Sequence, residues 1–220
     1  MTDEENRRPL KVRELGLVQR CARWLSRRDI TPNQISIASV VFALLAALSL
    51  LALRDGQPLF AWAAALFIQC RLLCNLFDGM VAVEGGKSTP AGELFNDIPD
   101  RIADPLILVA AGYAVTVVSW GADIGWLAGL LAVLTAYVRT LASASGAPTR
   151  FTGPMAKPQR MAIMTGAALL TPLEYFFNET SGYVLLAALL LIAAGSALTA
   201  ARRARDAFRY LNSTQNIRDD

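Results

Sequence analysis

Apolar residues fill most of this chain in long blocks separated by short polar clusters, a pattern that predicts membrane-length helices rather than alternating strands. A helix needs about 20 mainly apolar residues to cross a hydrocarbon core of roughly 30 Å. Six segments approach that length, at 35–53, 59–82, 101–118, 124–145, 160–177 and 183–201. They predict an all-α integral membrane protein with six transmembrane helices. Thr31-Pro32-Asn33-Gln34 marks the start of the first, with Thr31 as the cap and proline in the opening turn, where its missing N–H is not needed.

Residues 1–30 follow a different pattern. Arg7, Arg8, Lys11, Arg13, Arg20, Arg23, Arg27 and Arg28 interleave with Leu10, Leu15, Leu17, Val18, Cys21, Trp24 and Leu25 at roughly helical spacing. This suits an N-terminal amphipathic helix lying at an anionic membrane interface. A solvated leader that only sets topology accounts for the same charges. The expected organisation is a cytoplasmic leader over 1–30, a six-helix membrane domain over 31–211 and a cytoplasmic tail over 212–220. The leader is too long and too polar for the n-region of a cleavable signal peptide.

Composition supports the membrane reading, with 54% hydrophobic residues and a mean hydropathy of +0.39. A net charge of only +3 gives no reason to expect nucleic acid as a partner. Distribution is more informative than the sum. With the N-terminus inside and six alternating helices, only Arg54 of the 21 Lys and Arg residues falls on the outer side, so the positive-inside rule predicts N-in, C-in. The 83–99 connection, the Gly146–Gln159 connection and the Arg202-Arg203-Ala204-Arg205 run then face the cytosol.

The chain has no histidine, which removes Ser-His-Asp hydrolases, histidine-bound zinc and histidine acid-base chemistry. Cys21, Cys70 and Cys74 form neither a paired metal pattern nor an even disulfide framework. Chemistry must therefore come from carboxylates, lysine, arginine, hydroxyls or a bound metal.

Such groups gather where lipid would make them costly. Arg71, Asn75 and Asp78 lie toward the end of the second segment, Asp100 and Asp104 at the start of the third, and Arg139 late in the fourth. Asn75 and Asp78 share a helix face, as do Asn96, Asp100 and Asp104 at spacing four. Two neighbouring helices can thus converge oxygen donors, and oxygen-only ligands favour Mg²⁺, Mn²⁺ or Ca²⁺. Gly79 and Ala82 beside them admit a bulky ligand, and Lys157 with Arg160 supplies counter-charge for a phosphate. Taken singly, Asp104 reads as a helix cap or interface residue, Arg139 as a snorkelling side chain, and Lys157 with Arg160 as topology signals. The combination of Asn75, Asp78-Gly79, Ala82, Gly92, Asn96 and Asp100 is harder to assign to structure alone.

That combination resembles the signature of the CDP-alcohol phosphotransferases: Asp, two residues, Asp-Gly, two residues, Ala-Arg, eight residues, Gly, three residues, Asp, three residues, Asp. The spacing is matched throughout, with Asp78, Gly79, Ala82, Gly92 and Asp100 in place. The Thr31-Pro32-Asn33 entry is also similar to the family. The resemblance implies a six-helix membrane transferase that moves a phosphatidyl group from CDP-diacylglycerol to an alcohol and releases CMP. It implies two divalent cations, Mg²⁺ or Mn²⁺, on the pyrophosphate, Asp100 as the base for the attacking hydroxyl and Asp78 as a metal ligand. Asn33, Gly79, Ala82 and Gly92 would border the substrate, Arg139, Lys157 and Arg160 would favour an anionic acceptor, and a homodimer is expected. The phosphatidylglycerophosphate synthase branch suits those cations, and the expected location is a bacterial inner membrane with the site facing the cytosol.

The signature is degenerate at three places. Asn75 and Asn96 stand where acids are expected, and Val83 where arginine is expected. Asparagine can still ligate a cation through oxygen but brings no charge. Glu93 and Asp97, and less favourably Glu84, are the nearby acids that would restore it. The expected metal set is Asn75, Asp78, Asn96 and Asp100 with Glu93 or Asp97. Two other readings share these residues: a weakened relative that binds nucleotide-lipid or a partner without turnover, and a small transporter with an intramembrane ion path.

Overall fold

The computed structural model describes residues 16–28, 30–84, 86, 92–148, 152–178 and 182–216; for Leu17, Glu84, Glu93, Asn96, Asn178 and 214–216 it describes the backbone alone. Among the described residues there are seven α-helices and no strand. They are α1 (Gly16–Arg27), α2 (Pro32–Leu51), α3 (Phe60–Glu84), α4 (Gly92–Ala114), α5 (Gly121–Ala144), α6 (Lys157–Asn178) and α7 (Tyr183–Asn216). The ends of α3 and α5, the starts of α4 and α6 and the polar half of α7 form a charged end of the bundle.

Helix α2 begins as its sequence predicts. The Thr31 hydroxyl accepts from the Gln34 amide at 3.2 Å, and the Gln34 side-chain oxygen accepts from the Thr31 amide at 3.0 Å, a reciprocal capping box. A 3₁₀ turn, Ala52–Asp55, closes the helix onto left-handed Gly56. Helix α1 lies against the charged end of α3, with Ala22 buried between Leu76 and Met80 while Arg20, Arg23 and Arg27 stay exposed. The basic residues expected at 7, 8, 11 and 13 lie outside the described residues.

Among the described residues four helices are long and apolar enough to cross a membrane: Pro32–Asp55, Phe60–Val83, Gly121–Ala144 and Tyr183–Ser213. The other two predicted spans are helices but fall outside that description. Helix α4 carries Asp97, Asp100, Arg101 and Asp104 in its first half, and α6 carries Lys157, Arg160 and Glu174. Those groups are turned inward, whereas Leu44, Leu48, Leu66, Leu130 and Phe176 are exposed on the outside, as on a lipid-facing surface. Helix α7 runs well past the predicted end at 201, because the apolar stripe passes without a breaker into a polar, arginine-rich helix.

Close backbone packing sets the position of α4. A Cβ on Gly112 would sit 2.6 Å from the Gly125 Cα, so α4 and α5 meet at a distance only glycine permits. Gly129 faces Pro105 and Gly195 faces Met155, while Gly166, also expected to aid packing, faces open space. At the opposite end of the bundle Glu174 accepts the backbone amides of Gly182, Tyr183 and Val184 at 3.1, 2.7 and 3.2 Å, satisfying the otherwise orphaned N–H groups at the start of α7.

Candidate active site

Helices α3 and α4 run antiparallel, so side chains one turn apart on each meet in matched pairs. Asn75 Nδ2 donates to Asp100 Oδ1, and one turn deeper Arg71 Nη2 donates to Asp104 Oδ1 at 2.6 Å. Arg71 Nη2 also reaches Asp100 Oδ1 at 3.0 Å. Arg71 is fully buried, and its Nε and Nη1 have no hydrogen-bond partner.

The start of α6 closes the site from the other side. Lys157 Nζ donates to Asp100 Oδ2, and Arg160 Nη2 donates to Asp104 Oδ2 at 2.8 Å. Arg160 Nη1 further bonds Thr135 Oγ1 at 3.3 Å and the Met155 carbonyl at 3.2 Å. The segment before α6 is gripped by α7: Met155 N donates to Thr199 Oγ1 at 3.0 Å, and Arg203 donates to the carbonyls of Thr152 and Thr135 at 2.9 and 2.8 Å. Arg71, Lys157 and Arg160 thus each face a carboxylate, without which the desolvation of a buried charge would cost several kcal/mol.

A cavity of about 230 Å³ opens beside this network. Its walls include Asn75, Asp97, Asp100, Asp104, Thr135, Arg139, Lys157, Arg160 and Arg203. Acid and base therefore converge on one polar chamber whose remaining lining, including Leu72, Leu76 and Ala132, is apolar.

The sequence-derived candidates divide into groups. Asn75, Asp100, Asp97, Arg139, Lys157 and Arg160 all line the cavity. Asp78 is buried on another face, where its Oδ2 accepts from Ser36 Oγ at 2.7 Å and its Oδ1 from the Gly79 amide at 2.6 Å. Gly79, Ala82 and Gly92 are half-buried nearby along the chain, and Asn33 is half-buried in the first turn of α2. Asp97, one of the two acids suggested as replacements, is held by Arg101 at 2.7 Å and Arg139 at 3.2 Å. The side chains of Glu93, Glu84 and Asn96 lie outside the described residues.

Four contributors were not among the expected site residues. Arg71, Asp104, Thr135 and Arg203 are buried here, although Asp104 alone reads as a helix cap and Arg203 as part of a basic tail. A signal existed for two of them: Arg71 stands one turn before Asn75 and Asp104 one turn after Asp100.

Among the described residues no three of the His, Cys, Asp and Glu side chains converge in a way that could hold a metal ion. Asp78, Asp100 and Asn75 carry the oxygen donors that Mg²⁺ or Mn²⁺ would take, but Asp78 is held on Ser36 and Gly79 outside the cavity that Asn75 and Asp100 line. Asp100 Oδ1 is engaged by Arg71 and Asn75, and Oδ2 by Lys157, so the described side chains do not by themselves form a metal site.

The fold and the site together define a helical membrane-type protein with paired carboxylates and cations around a polar chamber near one end of the bundle. A sequence model of CDP-alcohol phosphatidyltransferase matches residues 29–199. The chain belongs to that family. It is 26% identical over 145 residues to inner membrane protein YnbA of Escherichia coli strain K12, covering 64% of this chain and 67% of that protein. In fold it is similar to phosphatidylinositol phosphate synthase of Mycobacterium tuberculosis with CDP-DAG bound, at a TM-score of 0.72 and 21% identity, over 88% of this chain and 94% of that one. The same enzyme in complex with manganese and citrate superposes at a TM-score of 0.69, with 21% identity, over 87% and 88%.

Proposed function

We propose that this protein is an integral membrane transferase that moves a phosphatidyl group from CDP-diacylglycerol to the hydroxyl of a small anionic alcohol and releases CMP. The observation that carries this reading is the convergence of Asp100 with Lys157, Arg160 and Arg139 on one cavity whose helices bear the signature spacing. The fold-level likeness to a synthase with CDP-DAG bound supports the donor.

Chemically, the acceptor oxygen forms a bond to the phosphatidyl phosphorus as the bond to CMP breaks. The hydroxyl proton passes to Asp100. Burial of Asp100 and its contacts with Arg71 and Lys157 fix the carboxylate in one orientation, a positioning effect. Arg139 and Arg160, with Lys157, attract an acceptor that carries phosphate, such as glycerol 3-phosphate. At least one Mg²⁺ or Mn²⁺ held by Asp78 and Asp100 with an extra acid, Glu93 or Asp97, and oxygen from Asn75 or Asn96, would neutralise the pyrophosphate; the manganese complex of the structural relative supports a divalent cation. Gly79, Ala82 and Gly92 would border the nucleotide, and Asn33 would contact the substrate. The enzyme would work as a homodimer in a bacterial inner membrane, N-in and C-in, with the chamber toward the cytosol.

A weakened, non-turnover relative is the second reading. It is favoured by the occupation of both Asp100 oxygens by protein groups. CMP release from CDP-diacylglycerol with Mn²⁺ or Mg²⁺, measured across glycerol 3-phosphate, inositol phosphate, serine and a plain polyol, separates the two. Turnover with an anionic acceptor that is lost in Asp78→Ala and Asp100→Ala supports the transferase; donor binding with no CMP from any acceptor supports the second reading.

A further inference from the structure

The charged groups lining the chamber do not cancel: five cations stand against three carboxylates, a net charge of +2. Most of these cations are fixed. Lys157 and Arg160 face Asp100 and Asp104, and Arg203 holds the carbonyls of Thr152 and Thr135. Arg101 and Arg139 share the remaining acid, Asp97, and they share it unequally. Arg101 Nη2 donates to Asp97 Oδ2 at 2.7 Å from the same helix, whereas Arg139 reaches across from α5 with one nitrogen, at 3.2 Å to Oδ2 and 3.4 Å to Oδ1.

Position and packing mark Arg139 as the guanidinium that can change partners. Its side chain is 25% exposed and that of Asp97 34%, against 5% for Arg160. Arg139 also lines a second cavity of about 20 Å³ with Thr152, Arg203, Asp206 and Tyr210, so space lies on two sides of it. A phosphate that took Arg139 would leave Asp97 its shorter bond to Arg101, and no carboxylate would be stranded by the exchange. Lys157 and Arg160 offer no such exchange, since drawing either away takes a partner from a buried carboxylate. The Asp97–Arg139 pair adds little to the packing of α4 on α5, which already meet at Gly112 and Gly125.

We propose that Asp97 is a specificity-determining residue of the chamber: its carboxylate occupies Arg139 when the chamber is empty and gives it up to the phosphate of an acceptor. A phosphomonoester near neutral pH carries close to two negative charges against the one on Asp97, so the exchange favours it. A neutral polyol brings no charge and leaves Arg139 with Asp97. Asp97 thereby sets how strongly the chamber prefers a phosphate-bearing acceptor over an uncharged one. The inference rests on the transferase reading of the chamber as the acceptor site, but its test is binding rather than turnover.

Calorimetry on the full-length protein in nanodiscs of neutral lipid, with glycerol 3-phosphate and glycerol as probes, reads the effect. Asp97→Asn removes the competing charge and keeps the shape, so glycerol 3-phosphate should bind roughly three- to tenfold tighter while glycerol is unchanged. Asp97→Ser should reproduce the gain. In an Arg139→Gln background the same Asp97→Asn change should bring less than about a twofold gain, the coupling expected of a contacting pair. An equal gain in both backgrounds makes Asp97 a general charge rather than a competitor for Arg139 and overturns the proposal. Unchanged or weaker binding in Asp97→Asn, the result of a merely structural pair, overturns it too, as does wild-type protein that binds no glycerol 3-phosphate. CMP release from CDP-diacylglycerol is measured in parallel: its absence with the coupling intact overturns the transferase reading alone.

Discussion

Replacing Asp104 with alanine removes the group that two buried guanidiniums share. Arg71 and Arg160 reach its two oxygens at 2.6 and 2.8 Å, and all three side chains are at most 5% exposed. Breaking a buried ion pair from one side costs about 3–5 kcal/mol, chiefly the charge left unpaired. Arg71 keeps Asp100 at 3.0 Å, and Arg160 keeps Thr135 and the Met155 carbonyl, which places the cost near the lower bound. At roughly 2–4 °C per kcal/mol for a chain of this size, about 3 kcal/mol lowers the melting temperature by about 6–12 °C. Thermal unfolding followed by tryptophan fluorescence in one detergent measures it. The internal control is Arg101→Ala, whose pair with Asp97 is 28% and 34% exposed and should be worth about 0–1 kcal/mol. If Asp104→Ala melts no lower than Arg101→Ala, the buried network does not hold the bundle together and the reasoning fails.

Gly125→Val should destabilise by more than the usual 1–3 kcal/mol of core overpacking, because its Cβ would meet the Gly112 Cα at 2.8 Å; Gly166→Ala, facing open space, should leave melting unchanged. Equal melting of these two variants would show that α4 and α5 are not held by the glycine contact. Glu174→Gln keeps the shape of the cap but loses its charge, so amide hydrogen exchange at Tyr183 and Val184 should accelerate by a few-fold to about tenfold, equivalent to roughly 0.5–1.4 kcal/mol. Unchanged protection there would mean that the carboxylate is not the cap.

Local chemistry made much of the fold legible. The Thr31-Pro32-Asn33-Gln34 entry folds into the expected capping box, and each of the six apolar segments lies mainly within a helix. Helix ends were less legible: α7 continues through Arg202–Arg205 because arginine and alanine are good helix formers and nothing there stops the helix. At the site, side-chain type and spacing found Asn75, Asp100, Arg139, Lys157 and Arg160. Their partners depend on how helices distant in sequence align. Lys157 meets Asp100 across 57 positions, held by a preceding segment whose path is set by Thr199 and Arg203 on α7. Asp97 illustrates the same limit, since proximity in sequence to Asn96 suggested a replacement ligand and the structure pairs it with Arg101 and Arg139.

Asn75 and the two unexpected charges, Arg71 and Asp104, belong to one interface between two helices. In the antiparallel α3/α4 pair, moving four residues back along α3 from Asn75 reaches Arg71, and moving four forward along α4 from Asp100 reaches Asp104, so the next level of the same interface holds an ion pair. The Arg71–Asp104 ion pair lies one turn deeper along that interface than Asn75 and Asp100. At the outer level a neutral amide faces Asp100, which lets Lys157 approach it from α6 without a competing acid on Asn75. At the inner level Arg71 and Arg160 enclose Asp104, a residue with no counterpart in the signature. A carboxylate restored at position 75 would sit beside Asp100, and their mutual repulsion would have to be offset by a cation stronger than Lys157. The asparagine is therefore the residue expected opposite an aspartate that already has protein cations as partners.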